Sequence, residues 1–430
     1  MTYEELPAAV RERLPLVVTD LAGVTVAGMR TPELVALVAA WSCPPGDTPI
    51  PGTRVRSVPE TAAHLAAVGA CCLELDEGNK YAAGHPAAHV YFAAVAATQL
   101  ADRPVSGEQF LTAFALGYEV AARFGRATTI DRAWHPHGNW GATGAACAAA
   151  LVMGATPAEV AAAIDASTAL MQVTPWATVL AGDFTRNLWI AGANAAGLQA
   201  ARLSLAGLVD NPGSAHDSLG GILGTLDPDS LVDDLGERWL VAEGYVKLHA
   251  ACSYTHPAVD LVQALRASHA WQVDDVVSVR VRTHSLARPL LSRHPHNRLA
   301  AMFSLPFVVS TAVVNKTVDP QTMEPGSSAF VAAEEFSSRV QVEIDEQLDA
   351  FLPDVRCTEV RIELAGGDVL ELAAPNPIGD AHYFPLDREA IRAKIAGLIG
   401  EPDTERIMAA VGELRAAPDA KLVLRDLALG

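Results

Sequence analysis

The sequence predicts a mainly helical protein with a second domain of α+β class. Three observations carry this. At 430 residues, half of them apolar, the chain is long enough for two cores. Up to about residue 265 the apolar residues recur at helical spacing behind recognisable helix-start signals. From about Trp271 the pattern changes to the alternation of half-buried strands. The division read from this change is a helical domain of residues 1–268 completed by 400–430, and a smaller α+β domain of 269–399.

Taken in order, residues 3–28 space their apolar positions as a helix does, with Pro15 marking a break or a kink. Five prolines and two glycines between Cys43 and Pro59 make a loop, after which residues 61–75 resume as an Ala-rich helix carrying His64. Pro86 suits the first turn of a helix to about Leu100. Ser106-Gly107-Glu108-Gln109 and Thr156-Pro157-Ala158-Glu159 are capping boxes, opening helices to about Arg123 and Leu170. Residues 187–208 form another helix, whose small residues permit close helix approach. In the second domain, 276–282, 340–344 and 360–364 alternate as strands, and 362–372 reads as a hairpin turning at Gly366-Gly367. Residues 299–315 are helical, a late helix starts near Pro385, and 404–416 is read as the last. There is no internal repeat.

Composition narrows the function. A net charge of −19 opposes nucleic acid and polybasic docking to anionic membranes, which leaves a small molecule or a second copy of the chain as partner. Six scattered cysteines without a CxxC pair read as reduced thiols, and with no signal-like start the expected compartment is the cytoplasm. The uncharged run 134–158 contains two histidines and two prolines and is rich in small residues. It suits a buried helix better than a membrane span.

The chemistry concentrates in residues 74–89, which hold Glu74, Asp76, Glu77, Lys80, His85 and His89 between two apolar segments. Such groups are costly to bury unless they pair or react. Their complements are His135, His137 and Asn139 ahead of a small-residue helix whose amides suit an anion, Arg186, and the group Lys247, His249, Tyr254 and His256. Gathered at one cavity, these would make a positive well for a polycarboxylate. Each also has a plainer role: a histidine before proline is commonly a turn residue, Arg186 suits a structural ion pair, and the three carboxylates suit helix caps. His85/His89, His135/His137 and His294/His296 have ligand-like spacing, but none carries the HExxH glutamate or a third ligand, so no metal is expected. A Walker loop and a Gly-x-Ser-x-Gly elbow are absent, and Gly220-Gly221-Ile222-Leu223-Gly224 lacks the setting of a dinucleotide fingerprint.

In order and spacing, the chain resembles the MmgE/PrpD family over nearly its whole length. The resemblance rests on Leu75-Asp76-Glu77 with Gly84-His85-Pro86, Gly117-Tyr118-Glu119 with Arg123, and His135-Pro136 followed by the small-residue run 141–150. It continues through Arg186, Gly192, Gly197, Lys247, Thr255-His256-Pro257 and Asp260 to Ser304-Leu305-Pro306-Phe307, Pro377-Ile378-Gly379-Asp380 and Pro385-Leu386. Members include 2-methylcitrate dehydratase, cis-aconitate decarboxylase and iminodisuccinate epimerase. The resemblance implies a two-domain homodimer, an active site between the domains, and catalysis without an organic cofactor.

Carried over by position, His85, His135 and Lys247 match active-site residues, and His256 lies in the Thr-His-Pro segment. Arg186 falls where relatives carry lysine, and Phe307 where some carry a tyrosine. The expected reaction removes a proton next to a carboxylate and eliminates a group, in the manner of 2-methylcitrate dehydratase, on a small di- or tricarboxylic acid. In that reading His135 is the base, His85 the acid and Asp76 the orienting carboxylate. Lys247 and Arg186 hold substrate carboxylates, and His256, Asn79 and His137 complete the binding set. An epimerase or racemase, a decarboxylase, and a non-catalytic carboxylate-binding relative are the alternatives.

Overall fold

The computed structural model describes residues 1–209 and 211–429. Its first helix of any length, Ala8–Met29, runs unbroken through Pro15, so the anticipated break does not occur. A short 3-10 turn, Tyr3–Glu5, precedes it. Thr31 then caps Pro32–Ala40, a helix with no counterpart in the sequence reading, and the proline-rich segment forms a two-stranded ribbon of Thr48–Pro49 and Arg56–Ser57.

At the centre lies Gly141–Met153, packed among Pro86–Leu100, Gly107–Ala127 and Leu188–Leu205. The uncharged run is therefore the core of the helical domain. Gly117 and Gly144 make this packing possible, because a Cβ on Gly144 would lie 2.2 Å from the Gly117 carbonyl oxygen. Both capping boxes form: Ser106 Oγ accepts from the Gln109 amide at 3.2 Å while the Gln109 side chain accepts from the Ser106 amide at 3.0 Å, and Thr156 pairs with Glu159 in the same way. Among the described residues no single helix is long and apolar enough to cross a membrane.

In the α+β part the strand order is Val340–Ile344, Val276–Thr283, Thr358–Leu364, Val369–Ala374. The first pair is parallel and the others antiparallel, with Val279 opposite both Val340 and Ile362. The last two strands are the expected hairpin, with Gly367 in its turn at φ +92°. His256–Ser268 packs on this sheet, and Arg388–Ile399 packs along Ala8–Met29. By sequence, His256–Ser268 falls in the segment read as the helical domain and Arg388–Ile399 in the segment read as the α+β domain. Glu401–Leu414 is followed by one more helix, Ala420–Asp426, so the segment read as the last helix is not the last.

Two buried ion pairs fix the 74–89 segment to the rest. Lys394 on the returning helix donates to Asp20 at 2.5 Å and to the Leu75 carbonyl at 2.9 Å. Lys80 lies 3.1 Å from Asp380. The chemistry-rich segment is thereby held by Lys394 and Asp380 from the C-terminal part of the chain, with Asp20 pairing Lys394 in turn.

Candidate active site

The helix Pro59–Cys71 ends just before the acidic stretch, and Glu74 takes a left-handed backbone conformation, φ +53°, that turns the chain inward. Gly78 then pairs with Tyr245 through both backbone hydrogen bonds, at 3.0 and 2.7 Å. This pairing draws Lys247 against Glu74. Asn79 closes the next turn, its side-chain oxygen accepting from the amides of Tyr81 and Ala82 and its Nδ2 donating to the Leu240 carbonyl. Asn79 is thus occupied in holding the turn and does not reach the cavity.

The three carboxylates divide their partners. Glu74 takes Arg186 on Oε1 and Lys247 on Oε2, the latter at 3.0 Å. Burial pushes its carboxyl up, but Arg186 and then Lys247 outweigh burial and hold it at about 2. Asp76 stands 3.7 Å from Lys247 Nζ and 3.2 Å from His85 Nδ1. Burial is the larger influence there and lifts Asp76 to about 6 against the pull of Lys247. Glu77 accepts from the Tyr118 hydroxyl and the Ala87 amide, and burial lifts it to about 8. Lys247 itself is raised, because Glu74 and Asp76 overcome its burial.

Around this charge cluster stand four histidines, all buried. His85 and His137 rings lie 4.8 Å apart, His89 and His137 5.4 Å, His135 and His137 4.3 Å. Burial holds all of them below the usual imidazole range, His85 at about 3 and His89 at about 4. At neutral pH they are uncharged, and their backbone partners then choose their tautomers. His85 Nδ1 donates to the Glu77 carbonyl at 2.7 Å, which leaves the lone pair on Nε2. His89 Nδ1 donates to the His85 carbonyl at 2.7 Å and its Nε2 accepts from the Gly138 amide. His135 Nδ1 accepts from the His137 amide at 3.2 Å, so its proton sits on Nε2. Neither Nε2 of His85 nor Nε2 of His135 has a hydrogen-bond partner among the described residues, and both residues border open space.

That space is a cavity of about 730 Å³, lined by Glu74, His85, His135, His137 and Arg186 from the helical part and by Ser253, Tyr254, Phe303 and Arg356 from further along the chain. Its volume suits a small ligand. Of the residues proposed from sequence, the structure brings His85, His135, His137 and Arg186 to one wall, with Asp76 and Lys247 enclosed directly behind Glu74. His256 is elsewhere: its Nε2 meets the Ala251 carbonyl at 3.0 Å and its ring stacks edgewise on His249. Phe307 lies in the core against Phe330 rather than in the cavity. Gly141, at the start of the small-residue helix, packs against the His89 ring, 2.3 Å from where a Cβ would stand, and is not among the residues lining the cavity. Among the described residues no three His, Cys, Asp or Glu side chains are grouped to hold a metal.

Sequence reasoning missed Arg356, which is 3% exposed and stands just before the strand Thr358–Leu364. In the run Asp354-Val355-Arg356-Cys357-Thr358 it reads as an ordinary charged position at a strand edge, and nothing local marks it.

Among curated proteins, the chain is 25% identical over 314 residues to a cis-aconitate decarboxylase-like protein of Aspergillus oryzae, covering 67% of this chain and 64% of that one. The chain therefore spans just under two thirds of that relative's length. It is 23% identical over 422 residues to the cis-aconitate decarboxylase of Aspergillus terreus, covering 90% and 85%. Residues 1–224 match the MmgE/PrpD N-terminal domain and residues 249–412 the MmgE/PrpD C-terminal domain. With both domains matched in order around one shared cavity, the chain belongs to the MmgE/PrpD family.

Proposed function

We propose that this protein is a lyase of dehydratase type that removes a proton next to a carboxylate of a small di- or tricarboxylic acid. The observation that carries this reading is the pair of opposite tautomers on one cavity wall, His85 with a free lone pair at Nε2 and His135 with a proton at Nε2. A weakly acidic C–H needs both a placed base and a donor aimed at the oxygen where charge develops. His85 takes the proton, with Asp76 and the Glu77 carbonyl on its Nδ1 supporting the imidazolium that forms. His135 donates to the enolate oxygen. The electron pair of the broken C–H bond becomes the new double bond as hydroxide departs, and the proton held on His85 leaves with it as water. These roles are the reverse of those expected from sequence alone.

Neutral histidines also bear on the second reading, decarboxylation, which the names of the Aspergillus relatives favour. Loss of CO2 leaves an electron pair on carbon and calls for a stored proton. His85, kept neutral by its burial, can accept a proton at neutral pH and has none to give that carbon. The test is incubation with a panel of di- and tricarboxylates in deuterated water, followed by NMR. New alkene marks elimination, deuterium in recovered substrate marks proton exchange, and CO2 release marks decarboxylation. His85→Gln lowers turnover by about a hundredfold or more. A folded H85Q protein with unchanged turnover removes the base assignment, and a panel with no alkene and no exchange removes the dehydratase reading.

A further inference from the structure

We infer that Arg356 is the anchor for a second, non-reacting carboxylate of the substrate, so that this site selects acids carrying at least two carboxylates. This rests on the reading of the site given above and adds to it the residue that sets substrate class. The argument begins from charge. Arg186 and Lys247, the cations expected to hold substrate, are both committed to Glu74, with Asp76 beside Lys247. That cluster is close to neutral by itself and offers an incoming anion little net attraction.

Arg356 differs. Its guanidinium is buried, lines the cavity and has no carboxylate within ion-pair distance among the described residues. Its partners are uncharged: Nη1 donates to Ser253 Oγ at 3.4 Å and Nη2 to the Lys80 carbonyl at 3.2 Å, while Nε is buried with no hydrogen-bond partner among the described residues. A buried charge left without a counter-ion is strongly unfavourable, and a ligand carboxylate is the group that relieves it. The rings of Tyr245 and Tyr254 lie 5.6 and 5.2 Å from its central carbon, which fixes the plane of the fork. The backbone is held as well, by the Arg356 amide donating to the Pro375 carbonyl at 2.8 Å. A planar fork held in this way fits a carboxylate bidentately, as a lysine does not. Besides the Glu74-paired Arg186, the other arginines lining this cavity are exposed, Arg132 and the Glu346-paired Arg288.

Calorimetric titration of the full chain with propane-1,2,3-tricarboxylate and with acetate tests this, alongside Arg356→Gln, Arg356→Lys and His85→Gln variants whose melting temperatures are recorded. Wild type should bind the tricarboxylate and not acetate in the same range. R356Q should weaken tricarboxylate binding by about thirtyfold or more, and R356K, which keeps charge and bulk should R356Q fold poorly, by about tenfold. H85Q should bind it within about threefold of wild type while losing turnover. Equal binding by wild type and R356K, equal binding of acetate and tricarboxylate, or no tricarboxylate binding by wild type overturns the anchor. Arg356-dependent binding with no deuterium exchange on any acid keeps the anchor and removes the chemistry. Exchange with an unchanged KM in R356K does the reverse.

Discussion

Lys247 reaches Glu74 across 173 positions of sequence, its Nζ 3.0 Å from Oε2, with Glu74 in the cavity wall and Lys247 enclosed behind it. The contact exists because Gly78, four residues after Glu74, pairs with Tyr245, two residues before Lys247. Gly78 has no side chain to keep them apart, since a Cβ there would meet the Tyr245 ring at 2.4 Å. Lys247 therefore acts on the site through Asp76 and Glu74 rather than by touching the cavity. It keeps Asp76 lower than burial alone would.

The pH dependence of activity follows from this arrangement. With His85 near 3 and Asp76 near 6, Asp76 is the first of the two to change as pH falls below neutral, and its protonation removes the carboxylate beside His85 Nδ1. The kcat/KM profile should lose activity below about pH 6, and Asp76→Asn should lower the plateau while abolishing that limb. An unchanged limb in D76N would assign it to another group.

Lys247→Met should move the same limb. Removing the ammonium takes away the largest influence that lowers Asp76, so its carboxyl rises further and the acid limb shifts to higher pH by about one unit or more. A profile at constant substrate saturation reads this directly. K247M with its limb still near 6 would mean that the limb does not belong to Asp76.

Most of the helical frame was legible because its signals are local. Ser106, Thr156 and Pro86 mark helix starts by groups within one turn, and the structure places all three at the first turns of helices. The Ala/Gly run 141–150 announced close packing, although which glycine meets which, Gly117 with Gly144, is a property of two helices at once. The density of charge at 74–89 announced a site. What local pattern could not supply was the division of labour within it. Asn79 looks the same in sequence whether it faces a ligand or closes a turn, and only the amides of Tyr81 and Ala82 decide. The tautomers of His85 and His135 depend on the Glu77 carbonyl and the His137 amide, so the choice of base was invisible. Arg356 became visible only as a cation without an anion, which is a statement about everything around it.

Glu77 gives a stability prediction of opposite slope to most carboxylates. Its folded value of about 8 exceeds the ordinary 4.5, so the folded state holds the proton more tightly than the unfolded chain. The resulting stability is fully present below about 4.5 and is lost as pH rises through 8, on the order of a few kcal/mol. Glu77→Gln, which keeps the shape and cannot ionise, should flatten the decline in melting temperature between about pH 4.5 and pH 8. An identical decline in E77Q would place its origin elsewhere.

The pair Lys394–Asp20 tests how the returning C-terminal helix supports the site. Both side chains are buried, 2.5 Å apart, and Lys394 also holds the Leu75 carbonyl one residue from Glu74 and Asp76. Burial lowers Lys394 and raises Asp20, each in spite of the other, so desolvation exceeds their mutual attraction. Breaking the pair from one side should then be severe: Lys394→Met leaves Asp20 buried without its ion-pair partner, with the weaker influence of Arg13 alone, and should cost about 3–5 kcal/mol in denaturant unfolding. Replacing both, Asp20→Leu with Lys394→Met, removes the two desolvation penalties together and should recover most of that loss. Turnover separates the two roles of the pair. The double variant regains stability but still lacks the ammonium on the Leu75 carbonyl, so kcat should remain below wild type. Full recovery of kcat would show that the helix contributes packing alone, and a double variant as unstable as K394M would show that the ion pair, not the cost of one unpaired charge, carries the stability.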